Sequence, residues 1–185
     1  MPPLARLPDV GATASLGSMG TTQVHELYEE DFFAWTRFQA KELRRFARSR
    51  PNLPLDLEHI AEEIADLGTS RRDTLRSWTR RIIEHLLLLQ HSRAHEPRRG
   101  WSEEVLNFRS EIDDRISSTL RRDLRRQLPR LCDRARRDVQ RKLELYGEAV
   151  PSTRLPERCP YTPDQVLGDF WPDAADDGGR LDRAT

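Results

Sequence analysis

Between Val24 and Trp171 the apolar residues recur at spacings of three and four, and nowhere do they alternate at two. A period near 3.6 puts such side chains on one face of a helix, whereas a half-buried strand needs a period of two. The chain is therefore read as all-α: a single helical bundle of about five helices over residues 24–171. The longest stripe is Ile60, Ile64, Leu67, Leu75, Trp78, Ile82, Leu86 and Leu89, which keeps one phase from 57 to about 91 with Arg71 as its single polar interruption. One central helix of that length spans roughly 50 Å. Asp56 is the expected N-cap. Gly68-Thr69-Ser70 is the one place where the helix could kink or break, since glycine is about 1 kcal/mol worse than alanine inside a helix. The run Leu86-Leu87-Leu88-Leu89 is apolar all round, so this end is expected to be the most buried.

Other helices follow from the same spacing. Tyr28, Phe32, Trp35, Gln39, Leu43 and Phe46 share one face of a segment over 26–48, which Pro51 and Pro54 stop. Pro97-Arg98-Arg99-Gly100 reads as a turn. Ser102 then caps the next helix, Trp101 staples onto Leu106, and Val105, Phe108, Ile112 and Ile116 turn inward. A further segment runs to a stop at Gly147, unbroken or restarted at Pro129, with Leu124, Leu128, Leu131, Ala135, Val139, Leu143 and Tyr146 on its apolar face. Thr162-Pro163-Asp164-Gln165 has cap, first-turn proline and capping-box glutamine in order, and starts a last short helix.

Composition excludes several classes. With 36% hydrophobic and 34% charged residues, the chain is more polar than the usual globular balance of about 45–50% and about 25%. No apolar run approaches the ~18 residues of a membrane span. Cys132 and Cys159 are too few for a disulfide framework or a thiolate-rich metal cage. Cys132 is expected to be an inert small hydrophobe, and Cys159 to pack the tail onto the core. Residues 1–22 are poor in large apolar side chains and read as a disordered leader, with Met19 a candidate start; residues 172–185 read as a disordered acidic tail. No secretory pattern is present, so the cytoplasm is the expected compartment. There is no glycine-rich phosphate loop and no dinucleotide fingerprint.

Two sets of residues could carry function. Asp56, Glu58, Glu62, Glu63 and Asp66 follow one another with no Lys or Arg between them, and His59 shares a helix face with Glu62 or Glu63. With His85 these make a candidate divalent-metal set: His59, Glu62, Glu63 and His85. On a straight helix His59 and His85 lie ~39 Å apart, so one metal requires the helix to fold back at Gly68, or two antiparallel copies. The plainer use of Glu62 and Glu63 is an ion-pair network with an arginine-rich helix, and of His85 a half-buried donor. The second set is a stripe, Arg122, Arg126, Arg130, Arg134, Arg137 and Arg141, on the face opposite the leucines. Its plainest use is a solvated amphipathic face; otherwise it suits a protein partner, or nucleic acid, although Asp123, Asp133 and Asp138 flank it and no aromatic ladder interleaves.

The pattern Tyr28-x-x-Asp31-Phe32-x-x-Trp35, then Asp56-Leu57 with Glu62-Glu63-Ile64-x-x-Leu67-Gly68, His85-Leu86-Leu87, Trp101 and Cys159-Pro160-Tyr161-Thr162 resembles the bacterial domain of unknown function 29 family. The resemblance covers about 24–171. It implies an all-α, single-domain bacterial protein and no particular activity. The chain departs from the usual pattern in its leader before Met19 and in its ending Asp169-Phe170-Trp171. The reading favoured on these grounds is a non-enzymatic protein-interaction module that self-associates as a homodimer. A metal-dependent enzyme on the His59/Glu62/Glu63 helix, and nucleic-acid binding through 122–141, are the alternatives.

Overall fold

Asp56 accepts a hydrogen bond from the backbone N–H of His59, and from this cap a helix runs unbroken to His91. The computed structural model describes residues 19–50, 53–148 and 155–173. Among them are six helices and no strand: α1 (Thr21–Glu30), α2 (Phe32–Ser49), α3 (Leu57–His91), α4 (Arg98–Asp113), α5 (Ser118–Leu145) and α6 (Pro163–Leu167). No helix among the described residues is long and apolar enough to cross a membrane. Expectations for residues 1–18 and 174–185 lie outside the described residues. α1 begins at Thr21, inside the expected leader.

α3 is the mast of the bundle. Its second half is buried from Ile82 through Leu89 against α4 and α5, with Leu120, Leu124, Leu128, Leu131, Ala135, Val139 and Leu143 supplying the facing side. The expected buried end of α3 is thus the buried end. α2 covers the first half. There the inward residues are Leu57, Ala61 and Gly68, so the stripe expected to be core is displaced: Ile60 is 40% and Leu67 57% exposed. The cause is the partner, because among the described residues α2 is the helix that packs on this half, and it sits over the small residues Ala61 and Gly68. Gly68 does not interrupt α3; its missing side chain is the space that Thr36 occupies.

Two further boundaries differ from expectation, and that of α5 agrees with it. The 26–48 segment is two helices, because Asp31 leaves helical geometry and caps α2 through the N–H of Ala34. Its other carboxylate oxygen accepts the N–H of Thr119, so one side chain serves the starts of α2 and α5. α4 begins at Arg98, within the expected turn. Trp101 is consequently a buried core residue, and Ser102 donates back to the Arg98 carbonyl. The Arg98 guanidinium reaches the Leu89 and Ser92 carbonyls, satisfying acceptors that the end of α3 leaves open. α5 passes through Pro129 without restarting and stops at Gly147, whose φ of 71° is the left-handed stop expected there.

The C-terminal segment returns across the bundle. α6 has the expected capping box at Thr162 and Gln165. Arg109 of α4 donates to the carbonyls of Gln165, Val166 and Phe170. Cys159 packs on the core as expected, but Cys132 is not a free hydrophobe: the two are joined as a disulfide, Cα–Cα 5.3 Å.

Candidate functional site

Arg72, Arg76, Arg80 and Glu84 repeat every fourth residue along α3 and so form one row, which faces α5. Arg76 donates through Nε and Nη2 to the two oxygens of Asp123 at 2.7 and 2.8 Å, and Arg126 adds a third bond at 2.7 Å. Burial pushes the Asp123 carboxyl up, but Arg76 and Arg126 outweigh it and hold it below the usual range. Arg80 pairs with Asp138, which Arg141 also approaches at 3.5 Å. Glu84, only 1% exposed, is held by Lys142 and by Arg81 at 3.2 Å, with Arg80 at 3.6 Å. Burial again raises its pKa, and Lys142 and Arg81 more than reverse that.

Between these two anchored ends lies a cleft of about 460 Å³. Arg72, Arg76 and Arg80 line it from α3, and Arg130, Arg134 and Leu131 from α5; Asp73 is its one carboxylate. Arg72 is taken by Asp73, Arg76 by Asp123 and Arg80 by Asp138. Arg130 and Arg134 have no carboxylate partner among the described residues, and both are exposed. Among the described residues the cleft therefore carries an excess of positive charge, with the apolar Leu131 in its lining. A recess lined by one sign of charge focuses the field on a complementary ligand.

The stripe read from the sequence divides accordingly. Arg130 and Arg134 face the cleft. Arg122 donates to Thr119, Arg126 to Asp123, and Arg141 approaches Asp138. Arg137 lies beside Leu155 at a separate hollow. The sequence reading missed the α3 half of the site, although 72, 76 and 80 have the same four-residue spacing that exposed the stripe on α5.

The acidic start of α3 is arranged differently from both expectations. Glu62 and Glu63 are exposed and make no ion pair with α5; the expected carboxylate–arginine network exists, but Glu84, Asp123 and Asp138 supply its acids. His59 Nδ1 lies 2.5 Å from Asp56, whose hydrogen bond raises the His59 pKa while lowering its own. His85 is buried in the other half of α3, with Nε2 2.6 Å from Glu104. Because α3 does not fold back at Gly68, His59, Glu62 and Glu63 stay at one end and His85 at the other. Among the described residues no three His, Cys, Asp or Glu side chains converge on one point.

The family model described as domain of unknown function DUF29 matches residues 27–171. The chain belongs to the DUF29 family. The DUF29 fold seen here is also similar to the crystal structure, at 1.45 Å, of an alpha-helical protein of unknown function from Rhodospirillum rubrum. The two are 31% identical with a TM-score of 0.67, and the match covers 77% of this chain and 89% of that one. No curated protein matches this DUF29 chain.

Proposed function

We propose that this DUF29 domain is a non-enzymatic protein-interaction module that holds an acidic segment of a protein partner in the cleft between α3 and α5. The observation that carries the reading is the pair Arg130 and Arg134, which have no carboxylate partner among the described residues, beside three arginines of α3 that are each paired with a carboxylate. A guanidinium fork binds carboxylates bidentately and with defined orientation. The ion pairs of Arg76 and Arg80 fix the α3 wall, so little order is lost when a ligand enters. A carboxylate-bearing segment suits the cleft better than nucleic acid. Asp73, Asp123 and Asp138 confine the free positive charge to a short stretch, and no aromatic ring lines it for a base to stack on.

The test is fluorescence anisotropy with a short labelled poly-glutamate peptide and a single-stranded oligonucleotide of equal length. Peptide binding that weakens with salt, and weakens by about tenfold when Arg130 and Arg134 both become Ser, supports the reading. Binding of the oligonucleotide alone, or peptide binding indifferent to both substitutions, removes it.

A further inference from the structure

Residues 155–173 lie against α3, α4 and α5 as a strap, and two fasteners hold it at different points. Arg109 of α4 grips the later part, at the carbonyls of Gln165, Val166 and Phe170. The earlier part is tied to α5 by the disulfide between Cys132 and Cys159. The chain has two cysteines, so any pairing within it is this one. Around these fasteners the strap adds Leu155, Tyr161 and Val166 to the core, and the Tyr161 hydroxyl donates to Gln90 of α3 at 2.9 Å.

The two sulfurs differ in access. Cys132 is buried, at 4% exposure, whereas Cys159 is half-buried. A thiolate arriving from solvent therefore reaches the sulfur of Cys159 and not that of Cys132. The fold also has room for the opened pair. Cys132 shares the buried face of α5 with Leu128, Ala135 and Val139, where a thiol packs as a small hydrophobe. Cys159 Sγ lies 3.4 Å from the Tyr161 carbonyl, an acceptor for its S–H. The bundle does not rest on the strap, because Ile82 to Leu89 of α3 meet Leu120 to Leu143 of α5, and Trp101, Val105 and Ile112 of α4, directly.

We propose that the disulfide between Cys132 and Cys159 is a thiol-sensitive fastener. A small-molecule thiol such as glutathione opens it, and the first part of the strap, 155–161, comes off the bundle while Arg109 keeps 165–170 docked. A glutathione thiolate attacks Cys159 Sγ, the S–S bond breaks, and Cys132 leaves as a thiolate that takes up a proton. A second glutathione thiolate attacks the glutathione sulfur of the mixed disulfide and releases Cys159, which takes up the second proton. The cystine gains two electrons, and the two glutathiones leave as one glutathione disulfide; the reverse sequence closes the fastener. Reduction thereby uncovers the places where Leu155 packs beside Arg136 and Gln140 of α5 and where Tyr161 meets Gln90 of α3. The device is separate from the arginine cleft: Arg130 and Arg134 stand two residues to either side of Cys132, and so on the opposite edge of α5.

The test equilibrates the full chain, without air or denaturant, in glutathione buffers of rising reduced-to-oxidised ratio, then quenches with acid and counts thiols by alkylation. Both thiols are expected to appear together as the ratio rises. Hydrogen exchange followed by mass spectrometry should quicken by about tenfold in 155–161 of the reduced form and stay unchanged in α3 and α5. The double variant Cys132→Ala with Cys159→Ala should show the fast exchange in every buffer. Thiols that stay unpaired in glutathione disulfide, a cystine that survives excess reduced glutathione, exchange in 155–161 indifferent to reduction, or loss of protection in α3 and α5 on reduction would overturn the proposal.

Discussion

Gly68 of α3 and Thr36 of α2 are so close that a methyl group added to Gly68 would sit 2.1 Å from Thr36 Oγ1. The hydroxyl cannot step aside freely, because it donates to the Phe33 carbonyl at 2.9 Å in a buried position. Gly68→Ala is therefore expected to destabilise the fold by about 1–3 kcal/mol through overpacking, although alanine is the better helix former by about 1 kcal/mol. Adding Thr36→Ala should recover part of the loss and no more, since the Thr36 Cβ also lies within 3.1 Å of the added atom. Urea denaturation of the two variants decides it, and a stabilised Gly68→Ala would show that α2 does not approach as described.

The same glycine marks where the sequence is legible and where it is not. Spacing alone locates α3, its Asp56 cap, the α5 stop at Gly147 and the capping box of α6, because each rests on residues close in sequence. Spacing does not say which flank of an apolar stripe a neighbour will cover. Ile60 and Leu67 have the right period for a core, but α2 settles on the small residues beside them. The break at Asp31 is hidden for a related reason: Tyr28, Phe32 and Trp35 continue the stripe across it, and the carboxylate's second partner, Thr119, is remote in sequence. At the candidate site the arginines of α5 stand out by their number. Which of them are neutralised depends on acids and bases of α3 and α5 meeting across the bundle, as Arg76 and Asp123 do.

Acid should unfold this protein through Asp123 and Glu84. Both carboxyls are held below their ordinary values of 3.8 and 4.5. The folded state then binds fewer protons than the unfolded chain, so their contribution is complete above about pH 5 and is lost as pH falls through the native values. Melting temperature is expected to drop steeply below about pH 4.5. Asp123→Asn should cost about 2 kcal/mol at neutral pH, at the low end for a broken buried pair because Arg76 and Arg126 keep access to water. It should also shallow the acid limb; a limb of unchanged steepness would count against this pairing.

Histidine sets a second, milder dependence at higher pH. Burial lowers the His85 pKa below 6.5 despite Glu104, and it lowers that of His91 as well. A neutral His85 donates from Nε2 to Glu104, while its buried Nδ1 has no hydrogen-bond partner among the described residues. For a base with a depressed pKa the folded state again binds fewer protons, so stability falls as pH drops below about 6.5. Between pH 7 and 5 a gradual decline is expected, and His85→Gln should remove part of it and leave the His91 share. Proton NMR of the imidazoles reads the two titrations directly; a His85 resonance titrating above 6.5 would contradict the assignment.

Arg109 should decide whether the C-terminal segment stays on the bundle. The carbonyls of Gln165 and Val166 belong to the last turn of α6 and have no acceptor role within so short a helix. Arg109 satisfies both at 3.0 and 3.1 Å, takes the Phe170 carbonyl at 2.8 Å, and lies over the Trp171 ring at 5.2 Å. One planar fork makes all these contacts, and a lysine ammonium, with a single nitrogen, cannot reach three carbonyls in those directions. Arg109→Lys and Arg109→Met are accordingly expected to loosen 155–173 to a similar extent, by about 2–3 kcal/mol of local stability for the lost charged hydrogen bonds. Limited proteolysis should then cut within this segment before any site in α3 or α5, and the amides of Val166 and Gly168 should exchange faster with solvent. If Arg109→Lys protects those amides as well as the native residue does, the fork is not what fastens the segment, and the disulfide between Cys132 and Cys159 must hold it instead.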